Sequence, residues 1–342
     1  MKLTRFFKTL LITMALSVPA FASLADPLPA LKADPAKISV SGLSSGAFMA
    51  VQYDVAFSAS TIGAGIVAGG PYNCAYANPF GVPSTIATCM QGIPDSLASY
   101  VSAQAFADLN KIDPVQNIAK QKIYLFSGTQ DIVVKQSVMD SLRDFFSAAN
   151  VPDANLVYIN TFPAGHAFIS PDFGNLCDVN ANPYINECSV NSGHYDQPAA
   201  IFNQIYGPLK PKAQTLSAQP IAFDQTEFAG PLTGMADKGF VYIPASCQQT
   251  KGQGCALHVV FHGCGQSVDS GAGDDVYSKV GYNQWADSNN IIVLYPQVNK
   301  SEVPLNPQGC WDWWGYTGLD FQVQSGKQLS AIHAMVVRLT GQ

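Results

Sequence analysis

Short β-rich apolar runs recur along this chain, and stretches with helical spacing separate several of them. "KISVSG" (37–42), "TIGAGIVAGG" (61–70), "QKIYLFSG" (121–128) and "NLVYINTF" (155–162) come first; "KGFVYIPAS" (238–246), "ALHVVFHG" (256–263) and "NIIVLYPQ" (290–297) follow. Helical spacing marks "GAFMAVQYDVAFS" (46–58), "KQSVMDSLRDFFSAAN" (135–150) and "SGKQLSAIHAMVVRL" (325–339). Strands apolar on both faces need cover on both faces, so the pattern predicts an α/β fold with a mostly parallel sheet between helices. Residues 207–221 look like a surface crossing and could pass for a boundary, but the runs on either side suit one sheet.

The first run enters Gly42-Leu43-Ser44-Ser45-Gly46, a G-x-S-x-G pattern, and helical spacing follows at once. A strand, a tight turn and a helix are the setting of a nucleophile elbow. Elsewhere the same five residues would be a small-residue turn. A serine hydroxyl attacks only when a base takes its proton. Five histidines are available. His258 lies inside a strand run, His333 on the last helix and His194 in a loop. His166 follows "NLVYINTF" in a glycine-bearing loop, at the carboxyl end of a strand, where parallel sheets present catalytic groups. Asp131 stands after "KIYLFSGTQ" at a similar station and is the expected orienting acid. Asp113 and Asp153 sit at helix or loop starts and read as caps; Asp172 and Asp196 have no strand before them.

Ser44, Asp131 and His166 occur in the chain order of an α/β-hydrolase. The oxyanion loop of that fold normally precedes the nucleophile, and almost nothing precedes Ser44 here. A matching loop, His262-Gly263-Cys264-Gly265, lies near the other end. Circular permutation reconciles the two: joining the last helix to "DPAKISVSG" restores the customary order, with His262 left to hold the loop. The Ser45 and Cys264 N–H groups are then the expected oxyanion donors, a contribution of about 3 kcal/mol each.

"SGLSSGAFMA", "GTQDIVV", "PAGHAF", "FHGCGQS" and "GCWDWWGYTG" together resemble the secreted, single-domain, circularly permuted poly(3-hydroxybutyrate) depolymerases, in family order and across nearly the whole chain. The resemblance implies Ser44 as nucleophile, Asp131 and His166 as its partners, Ser45 and Cys264 as the oxyanion hole, and hydrolysis of solid or oligomeric polyester to short hydroxyacid oligomers. No threonine-rich linker or separate polymer-binding module is recognisable, so grip on the polymer is expected of the catalytic domain. Trp311, Trp313 and Trp314, three of the chain's four tryptophans, are candidates to line the crevice. Two other readings remain: an esterase for feruloyl or acetyl groups of plant cell walls, and a secreted polymer-binding protein without chemistry.

Lys2, Arg5 and Lys8, then "LLITMALSVPAFA" with an Ala20-Phe21-Ala22 cleavage site, read as a signal peptide over residues 1–22. Its apolar run is interrupted by Pro19 and short for a bilayer span. Residues 23–342 are then one catalytic domain, exported to the periplasm or beyond and monomeric. Cleavage removes three positive charges and takes the net charge from −6 to −9. With no basic run after the N-terminus, nucleic acid is not an expected partner. Eight cysteines suit an oxidising compartment and leave many pairings open. Proximity suggests Cys74–Cys89, Cys177–Cys188 and Cys247–Cys255, which leaves Cys264–Cys310. No C-x-x-C occurs and the His residues are not at ligand spacing from Cys, so no metal is expected; no other cofactor is expected.

Overall fold

The computed structural model describes residues 25–77, 82–190 and 193–342; residues 1–22, the expected signal peptide, lie outside them. Thirteen strands occur among the described residues. In chain order they are β1 (Ile38–Leu43), β2 (Thr61–Val67), β3 (Lys122–Phe126), β4 (Leu156–Ile159), β5 (Phe168–Ile169), β6 (Asn175–Leu176), β7 (Ile185–Glu187), β8 (Ser189–Val190), β9 (Gly193–His194), β10 (Ile221–Asp224), β11 (Lys238–Tyr242), β12 (Ala256–Phe261) and β13 (Ile291–Tyr295). Eight of them form one sheet in the order β10-β11-β13-β12-β1-β2-β3-β4. β11 runs antiparallel to β10 and to β13; every other neighbouring pair is parallel. Strands from both sides of the 207–221 crossing therefore share one sheet. β5 to β9 make two small ribbons between β4 and β10. The sequence reading passed over them because two or three residues show no alternation, and it began no strand at "IAFD", where β10 lies.

Both faces of the sheet are covered, and strand alternation decides which residue faces which layer. Ile66 and Val259 join one core, with Met139, Leu142 and Phe145 of helix Gln136–Ala148 and Leu329 and Ile332 of helix Lys327–Thr340. Their chain neighbours Val67 and Val260 join the other, with Ile201 and Phe202 of helix Gln197–Tyr206 and Tyr282 and Ala286 of helix Tyr282–Asn289. Helix α1 (Ser45–Ala56) is buried along all twelve residues, so it is an internal support and not an amphipathic surface helix.

Glycines at β1 and α1 let these elements approach each other. A Cβ on Gly42 would stand 2.2 Å from the Gly46 carbonyl oxygen, and one on Gly46 would stand 2.3 Å from those of Phe261 and His262. The first and last glycines of G-x-S-x-G thus seat the turn against itself and against the end of β12. Near the chain's two ends, the Leu31 N–H donates to the Arg338 carbonyl at 3.1 Å and the Ala33 N–H to that of Leu339 at 3.0 Å. The four disulfides are Cys74–Cys89, Cys177–Cys188, Cys247–Cys255 and Cys264–Cys310.

Candidate active site

Ser44 sits between β1 and α1 with φ 58° and ψ −123°. A non-glycine residue in such a conformation carries strain of order 1–3 kcal/mol and persists only where its surroundings hold it. Here the Ser44 N–H donates to the Val67 carbonyl and its own carbonyl accepts from the Phe48 N–H, each at 3.0 Å. The turn lifts the side chain out of the sheet at the carboxyl ends of the parallel strands. It lines a cavity of about 240 Å³ with His166, Gly263 and Cys264. Leu43, Met90, Val133 and Tyr184 add apolar surface, and Gln266 and Gln308 add amide groups.

His166 reaches the cavity from the loop after β4. Gly165 lets that loop press close, since a Cβ there would meet the Val179 carbonyl oxygen at 2.3 Å. The Asn180 side-chain oxygen accepts the His166 N–H at 2.8 Å. The ring Nδ1 lies 2.8 Å from Asp131 Oδ2, and both side chains are almost wholly buried. The other carboxylate oxygen, Asp131 Oδ1, accepts the N–H groups of Val133 and Val134 at 2.8 Å each. With both oxygens held, the carboxylate fixes the imidazole with Nδ1 protonated, which leaves Nε2 as the basic atom.

The loop after β12 brings the third part. Gly263 packs so near the elbow that a Cβ on it would stand 3.5 Å from Ser44 Cβ. Its N–H is already used, donating to Gln266 Oε1 at 2.6 Å. The Gln266 amide then donates to the carbonyls of Pro183 at 2.7 Å and Tyr184 at 3.1 Å, and the Gly265 N–H donates to Gln308 at 2.7 Å. These bonds hold the loop against the cavity, which Cys264 lines. Ser45 opens α1, and the first N–H groups of a helix have no intrahelical acceptor. His262 is wholly buried; its Nδ1 donates to the Gly263 carbonyl at 2.8 Å and its Nε2 accepts the Val298 N–H at 3.1 Å. Burial pushes its pKa down to about 4, so it holds the loop as a neutral ring.

The tryptophans are elsewhere. Trp311 is fully buried against Phe261 and His262, and its backbone N–H donates to Ser45 Oγ at 3.3 Å. Trp313 is buried and stacks on Phe48 with ring centroids 4.4 Å apart. Trp314, half-buried, packs on Trp313 and Tyr316. None of the three lines the Ser44 cavity. Buried Asp312 explains their order: Oδ1 accepts the N–H groups of Trp314, Gly315 and Tyr316, while Oδ2 accepts the N–H and hydroxyl of Thr317. The segment is a folded brace behind the loop after β12. Gln266, Met90, Tyr184 and Gln308 escaped the sequence reading. Gln266 had a signal, as the residue after the H-G-C-G loop; Met90, Tyr184 and Gln308 come from three separate loops and had none.

Among the described residues no cluster of three or more His, Cys, Asp or Glu side chains is arranged to hold a metal ion, and no helix is long and apolar enough to cross a membrane. The fold and the serine at its strand-to-helix turn place the chain among α/β-type serine ester hydrolases. No family model matches it. It is 42% identical to the poly(3-hydroxybutyrate) depolymerase of Delftia acidovorans over 92% of its own length, and spans 61% of that relative. With the polyhydroxybutyrate depolymerase of Talaromyces funiculosus it shares 35% identity over 97% of this chain and 98% of the relative. Two solved structures, also 35% identical, superpose over 92% of this chain and 99% of theirs: a serine-to-alanine PHB depolymerase complexed with an R3HB trimer, TM-score 0.83, and PHB depolymerase from Penicillium funiculosum, TM-score 0.82. The chain belongs to the poly(3-hydroxybutyrate) depolymerase family.

Proposed function

We propose that this chain hydrolyses ester bonds of poly(3-hydroxybutyrate)-type polyesters through an acyl-enzyme on Ser44. The observation that carries the proposal is one cavity lined by Ser44, His166 and Cys264, with His166 tied to Asp131 at 2.8 Å. Ser44 Oγ attacks the ester carbonyl as His166 Nε2 takes its proton. Charge on the carbonyl oxygen is met by the N–H groups of Ser45 and Cys264. The tetrahedral intermediate collapses, the alkoxide of the next hydroxyacid leaves with the proton from His166, and Ser44 is acylated. Water, deprotonated by His166, attacks the acyl group; collapse returns the proton to Ser44 and frees the acid. Asp131 stays ionised and stabilises the imidazolium in both halves.

Leu43, Met90, Val133 and Tyr184 suit a neutral apolar ester. Trp311 and Trp313 are buried, so neither offers a stacking surface to a phenolic substrate. A strained serine beside a carboxylate-held imidazole has no purpose in a mere binder. Two features support the permuted reading. From Ile221 through the C-terminus and on to Ile38, the sheet strands run β10, β11, β12, β13, β1, β2, β3, β4, and backbone hydrogen bonds join residues 31–33 to 338–339. Four disulfides support export after cleavage at Ala22, with residues 23–342 acting as one monomeric domain.

Turnover of granular polyester against methyl ferulate tests the substrate class. Polyester hydrolysis that Ser44→Ala abolishes, while the variant still adsorbs to granules, is the expected result. Faster turnover of the ferulate, or normal hydrolysis by Ser44→Ala, overturns it.

A further inference from the structure

A second set of serines and a histidine lies beneath the elbow. Ser39 and Ser41 project from the same face of β1, two residues apart, and His258 of β12 lies across from Ser39 in the parallel pairing. His258 Nδ1 is 2.6 Å from Ser39 Oγ and its Nε2 is 2.7 Å from Ser41 Oγ. The chain of contacts continues outward. Ser39 Oγ meets the Tyr206 hydroxyl at 2.6 Å, and Ser41 Oγ meets the Tyr282 hydroxyl at 2.8 Å. Ser39, Ser41 and His258 are all fully buried. Phe202 meets the imidazole edge-on and Tyr282 stacks on it, so the ring is fixed in orientation.

This network sits between the two strands that deliver the reaction's parts. β1 ends in Ser44, and β12 ends in the loop that carries Cys264. Backbone hydrogen bonds between parallel strands are the same in any register, so side chains must choose it. On this face of β1 Ser39 and Ser41 precede Leu43 at the strand end, and the two serines are too small to select a register by packing. One imidazole bridging two hydroxyls does select it, because its nitrogens reach both only when it lies between them. A slip by one residue moves one strand end by about 3.3 Å and turns the side chains to the other face. The seat of Gly46 on the Phe261 and His262 carbonyls depends on the same register.

We propose that His258 is a positioning residue for ester hydrolysis: by bridging Ser39 and Ser41 it locks β1 on β12, and so sets the spacing between Ser44 Oγ and the Cys264 N–H. This rests on the assignment of Ser44 and Cys264 above. The lock costs the site nothing in access, since it lies inside the sheet-helix layer.

The test uses His258→Phe, His258→Gln and the Ser39→Ala/Ser41→Ala double variant in the full chain, with Ser44→Ala as control. Each is assayed on p-nitrophenyl butyrate and on the matching thionoester, whose sulfur is a poor acceptor for backbone N–H groups. Expected for His258→Phe and for the double variant is a fall in kcat on the oxygen ester of about 10- to 100-fold. KM should stay within about twofold, and the thionoester rate should fall far less. His258→Gln, with polar atoms at both ends, recovers part of kcat. Full kcat in the double variant, or equal losses on both esters, overturns the proposal; if His258→Phe does not fold, the double variant decides. Retained activity in Ser44→Ala would instead overturn the nucleophile assignment, whatever the His258 variants do.

Discussion

The chain brings serine and histidine together twice, once at the strand ends and once within β1 and β12, and the two sets serve opposite ends. Ser44 and His166 lie at strand ends, share a cavity, and have a carboxylate behind the ring. Ser39, Ser41 and His258 lie within strands, have no access to solvent, and meet hydroxyls only. Burial pushes the His258 pKa down to about 3, so this ring stays neutral over the range where a base must cycle its proton. Residue type does not distinguish the two pairings. Position along the strand and the third partner do.

The largest effect that would sharpen the contrast comes from the carboxylate. Asp131→Asn should lower kcat by roughly 10⁴-fold, because the amide can favour the wrong imidazole tautomer. Steady-state kinetics on p-nitrophenyl butyrate measure this, and a loss below tenfold would put His166 on a par with His258. Next is the Cys264–Cys310 staple, which ties the proposed oxyanion loop to the buried Trp311 segment. Reduction under native conditions should cost about 100-fold in kcat, the scale of one oxyanion donor. Full activity with thiol titration showing free Cys264 would break that link.

A smaller effect concerns acid. His258 and His262 fall from 6.5 to about 3 and about 4 on folding, by desolvation. The unfolded chain binds their protons first, so the stability they contribute is complete above about pH 6.5 and is lost as pH drops toward 4 and then 3. Denaturant midpoints across that window should fall for the parent and fall less for His258→Gln. Equal slopes would show that His258 is not titrating on unfolding. The smallest effect is at Asp54 on α1, fully buried with neither carboxylate oxygen hydrogen-bonded among the described residues. Desolvation raises its pKa well above 3.8, so the folded state keeps a proton that the unfolded state releases as pH rises. Asp54→Asn should raise Tm by a few degrees at pH 8 and by less at pH 5; a gain equal at both would mean that the carboxyl is not linked to folding.

Much of this was legible in the chain. "KISVSGLSSGAFMA" announces a strand, a turn and a helix, because small residues at 42 and 46 make sense only where backbones meet. The stations of Asp131 and His166 follow from the strands before them. The tryptophan run misled: a cluster of large rings reads as a binding face until Phe48, from another part of the chain, is seen stacked on Trp313. The His258 bridge could not be read either, since it depends on a register between residues 219 positions apart in sequence.

The most direct measurement is labelling of the folded protein with a fluorophosphonate, followed by peptide mass spectrometry. One adduct on Ser44, absent in His166→Ala and leaving Ser39 and Ser41 unmodified, is the predicted result. An adduct on Ser39 or Ser41, or none on Ser44, would contradict the account.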